Sequence, residues 1–339
     1  MSRTLRLTTV GLIASLVLCI PGAQRPAAAG KSVEIRVATL APRNSSFMRE
    51  FKRLDKRLRK QTNGGVRFKL YASGVAGDEK DVLRKMRTGQ LDAAMITSDG
   101  LGLILPEVNV LRAPGVVTNY KQLEAVQNVM LPEFNESFEK KGVKLIAWGE
   151  AGEYRLFSRE PVSQPSDIRK MRPWLWPSSP IMKETWRAIG ATPVPLGMGE
   201  VYGAVQTRMV DLVESTAIAY VALQWHTTDL AYVTEETSGV LVGAWVMNKK
   251  SFDALEPAWQ EAMLKLASAN NESTRLQTRK ADRDAYKRLV KRGLKLSKLS
   301  PAGSKQMEGI RQQVRKRMVG RVYSAGLLAR VQKIADAAK

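Results

Sequence analysis

The 339-residue chain has one cysteine and one histidine. Cys19 lies in an apolar run ahead of the predicted cleavage point, so the mature chain carries no thiol and no disulfide. That excludes cysteine nucleophiles and zinc sites built from Cys and His. A Ser–His–Asp triad would have to use His226, which sits beside Trp225 and reads as a packed or hydrogen-bonded residue. Long apolar runs are also missing. After the leader, none approaches the roughly 18 residues of a transmembrane helix. Glycines at 77, 100, 102, 197 and 199 form no phosphate-binding pattern behind a strand. The carboxylate pairs Asp78–Glu79 and Glu150–Glu153 read as solvated neighbours in turns. No nucleophile, base and orienting group come together, so neither catalysis nor a cofactor or metal is expected.

What is present begins with a leader. Arg3 and Arg6 precede the apolar run VGLIASLVLCI (10–20), and PAAAG (26–30) offers small residues for cleavage after Ala29. Residues 1–29 read as a secretory signal, so the mature protein is expected to be exported. An uncleaved anchor is the alternative. A lipid-attachment site at Cys19 fits poorly, because Leu18 stands where a small residue is wanted. The chain carries 54 Lys and Arg against 32 Asp and Glu, a net +22, and loss of the leader's three arginines leaves +19. Such a balance suits anionic partners. The basic residues are nevertheless spread along the chain, with peaks at Arg279–Lys298 and Arg315–Arg317. A solvated, repulsive surface is the plain reading. An anionic membrane surface is the functional alternative, and nucleic acid is not expected as a partner.

Periodicity gives an α/β pattern. VEIRVATL (33–40) alternates as a strand, and Phe47, Phe51, Leu54 and Leu58 mark an amphipathic helix capped by Ser45 or Ser46. VRFKLYAS (66–73), a helix over 81–89 and the strand LDAAMIT (91–97) follow. Strands are then predicted at 142–149, 154–158, 190–196, 210–216 and 240–248, with helices at 179–189 and 198–209. Pro257 to Lys291 has helical periodicity long enough to bridge two domains. Alternation of strand and helix points to parallel-sheet domains. TrpLeuTrp at 174–176 sits among Pro173, Pro177 and Pro180, so an extended segment should turn both indoles to one side.

ATLAPRNSSFM (38–48), GVAGDEKDVLRKMRTGQLDAA (74–94), LFSREPVSQPSDIRKMR (156–172), GATPVPLGMGEVYGAVQTRMVDLVES (190–215) and VMNKKSFDALEP (247–257) together resemble the DctP family. These are the periplasmic substrate-binding proteins of tripartite ATP-independent periplasmic (TRAP) transporters. The resemblance covers nearly the whole mature chain. It implies a periplasmic-binding-protein fold, type II-like, with two α/β domains, hinge strands and a long helix spanning both. Domain I would take residues 30–151 plus 241–281. Domain II would take 152–240 plus 282–339, including the C-terminal helices. It also implies capture of a small-molecule ligand in the cleft, domain closure, and delivery to the TRAP membrane permease subunits.

Most of the family grips a ligand carboxylate with an arginine in a segment resembling D-L-K-G-x-K-I-R, for which a bidentate fork is suited. Setting Asp167–Lys170 on D-L-K-G puts Trp174 at that arginine and Arg172 at the lysine. A second family arginine, in a G-F-R stretch, falls on Glu153, and an asparagine falls on Ser215. The sequence is closer to a branch with a K-x-W-x-W segment, proposed to take hydrophobic ligands, some with a helical-repeat periplasmic partner. An indole offers apolar area and one donor but no charge. The candidate ligand contacts are Trp174, Trp176, Leu40, Ala41, Phe47, Ser98, Asp99, Gly100, Glu153, Arg155, Arg172, Ser215, Thr216, Tyr220 and Trp225. A core or interdomain role is the alternative for Trp174, Trp176, Phe47, Tyr220 and Trp225. An organic acid held by Arg155 or Arg172 is the alternative ligand.

Overall fold

The computed structural model describes residues 32–339; the leader lies outside them. Ten strands are labelled here in chain order: β1 (Val33–Thr39), β2 (Val66–Tyr71), β3 (Ala93–Thr97), β4 (Val143–Ser158), β5 (Trp174–Leu175), β6 (Val194–Pro195), β7 (Leu212–Thr216), β8 (Tyr232–Thr234), β9 (Gly239–Asn248) and β10 (Lys295–Ser297). Eight of them form one sheet in the order β10-β8-β4-β9-β3-β1-β2, with β7 also on β4. β5 and β6 make a separate parallel pair. β1 runs parallel to β2 and β3, as strand–helix–strand units require.

The first lobe packs helices on both faces of this sheet. Ile35, Val37, Ala93, Met95, Trp245 and Met247 point to one face. Ala38, Ala94, Ile96, Ala244 and Val246 point to the other. That is the period-two alternation of buried strands. Helix Ser46–Gln61 covers the first face, and Ser45 caps it by accepting from the Met48 N–H. Its buried stripe is Met48, Phe51, Leu54 and Leu58. Phe47, predicted to be in that stripe, is 38% exposed instead, because the helix phase puts Met48 on the core side. The second lobe has its own core around Phe157, Trp174, Trp186, Val213, Tyr220 and Trp225.

Two strands run through both lobes. β4 is one 16-residue strand where two strands were predicted. Its first half pairs with β9 and its second with β7 and β8. A register shift between Glu150 and Glu153 bends it at the lobe boundary. Gly152 supplies the bend with φ of 100°, and an added Cβ there would lie 2.4 Å from the Asp282 carboxylate.

The 35-residue helix Pro257–Lys291 lies along β4 and contacts both lobes. Arg279 holds Glu150 with two 2.7 Å hydrogen bonds. Asp282 accepts the Glu153 N–H at 3.0 Å and the Ile218 N–H at 2.9 Å. Tyr286 lies under the Arg155 guanidinium, 4.2 Å from ring centre. Positions 279, 282 and 286 share one helix face. The C-terminal helices straddle the lobes: Pro301–Met318 packs on helix Pro180–Ile189, and Ala325–Ala337 packs on Tyr120–Lys140 of the first lobe. Among the described residues, no helix is long and apolar enough to cross a membrane.

Candidate functional site

The lobes meet at the C-terminal ends of β1, β2 and β3, the position at which open α/β sheets present ligand sites. Three groups of side chains make this junction, and they differ in chemistry.

The first group is aromatic. β5 is short and flanked by prolines, and it pairs with β6 through Trp174 and Leu175. Both indoles of the segment are buried, Trp174 at 2% and Trp176 at 4% exposure. They stack at 5.9 Å and 26°. Trp225 meets Trp174 edge-on at 5.6 Å, Tyr220 meets Trp225 at 6.5 Å, and Tyr220 stacks on Phe157 at 3.9 Å. Such offset and edge geometries suit aromatic quadrupoles. Trp174 donates its Nε1–H to the Leu196 carbonyl and accepts from Trp186 on its own carbonyl, each at 2.9 Å. It is therefore locked within the second lobe. Trp176 instead reaches across the junction and donates its Nε1–H to Asp78 at 3.1 Å. Asp78 also accepts the Met198 N–H at 3.1 Å and caps helix Glu79–Arg87. Leu40, from the first lobe, packs against the second lobe's aromatic core.

The second group is a buried charge cluster. Arg112 is 6% exposed in its side chain. It donates to Asp99 at 2.5 Å and Glu214 at 2.7 Å, with Ser179 Oγ at 3.3 Å. Its guanidinium lies 4.5 Å from the centre of the Tyr154 ring. Ser238 completes the cluster by donating to Glu214 at 2.9 Å. Burial opposes the Arg112 charge, but Asp99, Tyr154 and Glu214 more than offset it, so its pKa is raised. Ser98 Oγ and Asp99 Oδ1 are buried without a partner.

The third group is Glu79, 1% exposed at the foot of β3. It accepts the Thr97 N–H at 2.6 Å and lies 2.9 Å from Thr97 Oγ1. Burial pushes its carboxyl up to about 8, against the pull of those hydrogen bonds. Gly100 is required beside it, since a Cβ there would lie 2.5 Å from Glu79 Oε2. The Asp78–Glu79 pair is thus not the solvated turn read from the sequence. Asp78 bridges the lobes and Glu79 is buried.

The remaining candidates divide by face. Residues 154 and 156 of β4 point to one side and 155 and 157 to the other. Arg155 opposes Ser215, and Leu156 opposes Glu214. Arg155 donates to the backbone carbonyls of Thr234 and Glu235, packs on Tyr286, and has Glu153 at 3.6 Å. Burial raises the Glu153 pKa. Arg172 pairs with Asp211 at 2.9 Å and is 53% exposed, away from the junction. Ser215 Oγ donates to the Thr216 carbonyl, and Thr216 caps helix Ala217–Ala222. Ala41 is partly buried against the first lobe's core, and its carbonyl accepts from Ser73. Phe47 faces solvent. The structure thus brings Leu40, Ser98, Asp99, Gly100 and Trp176 together at the junction, beside Trp174, Tyr220 and Trp225 in the adjoining core. Sequence reasoning missed Arg112, Ser179 and Asp282. A lone arginine inside the apolar run VNVLRAPGVV (108–117) was the available signal for Arg112. Among the described residues, no cluster of His, Cys, Asp and Glu is placed to hold a metal.

Two lobes joined by crossing strands and a spanning helix, shut over a mixed aromatic and charged junction, define a hinged binding protein. The chain belongs to the DctP family, bacterial extracellular solute-binding protein family 7, which matches residues 37–321. It is a solute-binding protein of the TRAP type, a class that binds small molecules for membrane permease components and is not enzymatic. An uncharacterised protein of Haemophilus influenzae is 26% identical over 311 residues, covering 90% of this chain and 92% of that one. The 2,3-diketo-L-gulonate-binding periplasmic protein YiaO of Escherichia coli is 26% identical over 219 residues, with 64% and 66% covered. Two solved structures share the fold. One is a TRAP periplasmic solute-binding protein of Ralstonia eutropha with bound (S)-2-acetolactate, TM-score 0.82 and 22% identity, covering 90% of this chain and 99% of that one. The other is a sugar-acid-binding protein of Advenella mimigardefordensis with galactonate, TM-score 0.84 and 17% identity, covering 91% and 99%.

Proposed function

We propose that this protein captures a small hydrophobic or amphipathic molecule between its lobes in the periplasm and hands it to the permease subunits of a TRAP transporter. The observation that carries the ligand class is the pairing of arginines. Arg112, Arg155 and Arg172 each already hold protein carboxylates or carbonyls. The cluster around Arg112 has two carboxylates for one guanidinium, so a further anion would meet excess negative charge. Apolar surface meets across the junction instead, with Leu40 seated on the aromatic core. A cleft of apolar walls with a few polar groups fits a largely apolar ligand.

The acids named for the related proteins favour a second reading, an organic-acid ligand. It would require Arg155 or Arg172 to leave its present partners and turn into the junction. Native mass spectrometry of protein taken from its own periplasm, with identification of the molecule released on unfolding, separates the two. An apolar or amphipathic molecule is expected. A dicarboxylate or sugar acid would overturn the ligand class and leave the transport role standing.

A further inference from the structure

A cavity of about 100 Å³ lies on the other face of β4 and β7 from the aromatic run. Tyr154, Leu156 and Glu214 line it, whereas Phe157 and Ser215 face the opposite way. Its walls come from both lobes. Residues 111–117 of the first lobe form one side, and helices Pro180–Ile189 and Pro301–Met318 form the other. The lining is mainly aliphatic and aromatic, with Ile168, Ile181, Trp186, Ile310 and Val314 prominent. Its charged groups are unequal. Arg112 and Glu214 satisfy each other. Arg311 sits near Glu308 at 3.7 Å. Glu236 accepts the Leu299 N–H on Oε1, but its Oε2 is buried with no partner. A buried acceptor left unmade is costly, and a small turn of the Glu236 side chain, which lines the cavity, presents this oxygen to an incoming donor.

We infer that this cavity, which backs onto the Arg112 cluster of the junction and lies across β4 and β7 from the aromatic run, is a second binding site for a short aliphatic molecule ending in a hydrogen-bond donor, a hydroxyl or an ammonium. The apolar body fills the space between the two helices, and the donor meets Glu236 Oε2. The size sets the limit on the body. A dry cavity of roughly 150 Å³ holds one benzene ring, so this smaller space takes a chain or branch of a few carbons. Because both lobes contribute walls, occupancy favours the closed arrangement over one in which the walls separate.

The test uses the full mature protein with labelled isoleucine methyl groups, titrated with 1-pentanol, pentylamine and pentanoate. Ile168, Ile181, Ile189 and Ile310 all line the cavity and report on it directly. Saturable shifts confined to these methyls are expected with the alcohol and the amine, and not with pentanoate. Thr185→Phe and Ile310→Phe fill the space from two helices at partly exposed positions and should each abolish the shifts, with folding verified by thermal melting. Glu236→Gln should weaken pentylamine about tenfold, the value of a hydrogen bond to a charged acceptor. Lys249→Ala, at an exposed pair with Asp253 outside the cavity lining, should leave these titrations unchanged. Absence of saturable shifts, survival of binding in both filled variants, or preference for pentanoate would each overturn the proposal without bearing on the cleft ligand.

Discussion

Arg112 is the residue whose removal the junction should tolerate least. Its loss would leave Asp99 buried, and Glu214 partly buried, without a counter-charge, and breaking a buried pair costs about 3–5 kcal/mol. Arg112→Met should show that loss in urea unfolding, and adding Asp99→Asn should recover part of it. Arg112→Lys should fall between, since a point charge cannot serve two carboxylates and Ser179 as a fork does. Glu79 makes a prediction in pH. Its folded carboxyl titrates at about 8, against 4.5 without the fold. The folded state therefore keeps a proton that the unfolded chain releases, and stability falls as pH rises from about 4.5 to about 8. Glu79→Gln imitates the protonated acid. Its stability relative to the natural protein should climb through that window, with a limiting slope of about 1.4 kcal/mol per pH unit, and level off above it. Urea melts from pH 5 to pH 9 read this directly, and a constant difference would sink it. At this scale the site was only partly legible. Leu40 and Trp176 follow from a strand end and an indole between prolines. Arg112 and Glu79 do not, because burial of a charge depends on partners from distant segments: Glu214 is 102 residues from Arg112.

Strands and helices were more legible than side chains, since periodicity is a local property. β1, β3, β7, β9 and the long helix lie close to where alternation and helical spacing put them. The element that differed most is β4. Glu150, Gly152 and Glu153 read as a turn between two strands, because exposed charges and glycine ordinarily end a strand. The long helix reverses that, with Arg279 neutralising Glu150 and Asp282 accepting the Glu153 N–H. Helix Tyr120–Lys140 was not read at all. It carries Pro132 inside it, a residue that normally ends a helix, although Leu123, Val126, Met130, Phe134 and Phe138 bury one face. The role of the long helix as a clamp is testable through Asp282. Asp282→Ala would strand the N–H groups of Glu153 and Ile218, at about 1–3 kcal/mol each. Beyond lower stability, amide exchange should quicken selectively over residues 150–155 and 217–219. Uniform quickening would show that the carboxylate serves general packing and not the bend.

The whole molecule is drawn shut, and the contacts that hold it so are few. β4, β9 and the long helix join the lobes covalently or along their length, so they permit a hinge motion without choosing its position. Closure is chosen by contacts across the junction: Trp176 and Met198 on Asp78, Arg112 on Glu214 and Ser179, and Leu40 on the aromatic core. A hydrogen bond to a charged acceptor contributes about 1.5–3 kcal/mol, enough to move a two-state balance by tenfold or more. Trp176→Phe removes that donor while keeping an aromatic ring, and Asp78→Asn keeps a helix cap while losing the charge. Both variants should shift the unliganded protein toward an open form, seen as a larger radius of gyration in small-angle X-ray scattering. Saturating ligand should return each to the compact value, at a cost in apparent affinity equal to the lost closed population. Arg172→Ala, at the exposed pair with Asp211, should do neither. If the two junction variants stay as compact as the natural protein, closure rests on the charge cluster and the apolar contact, and the Trp176–Asp78 bridge is a consequence of closing and not a cause.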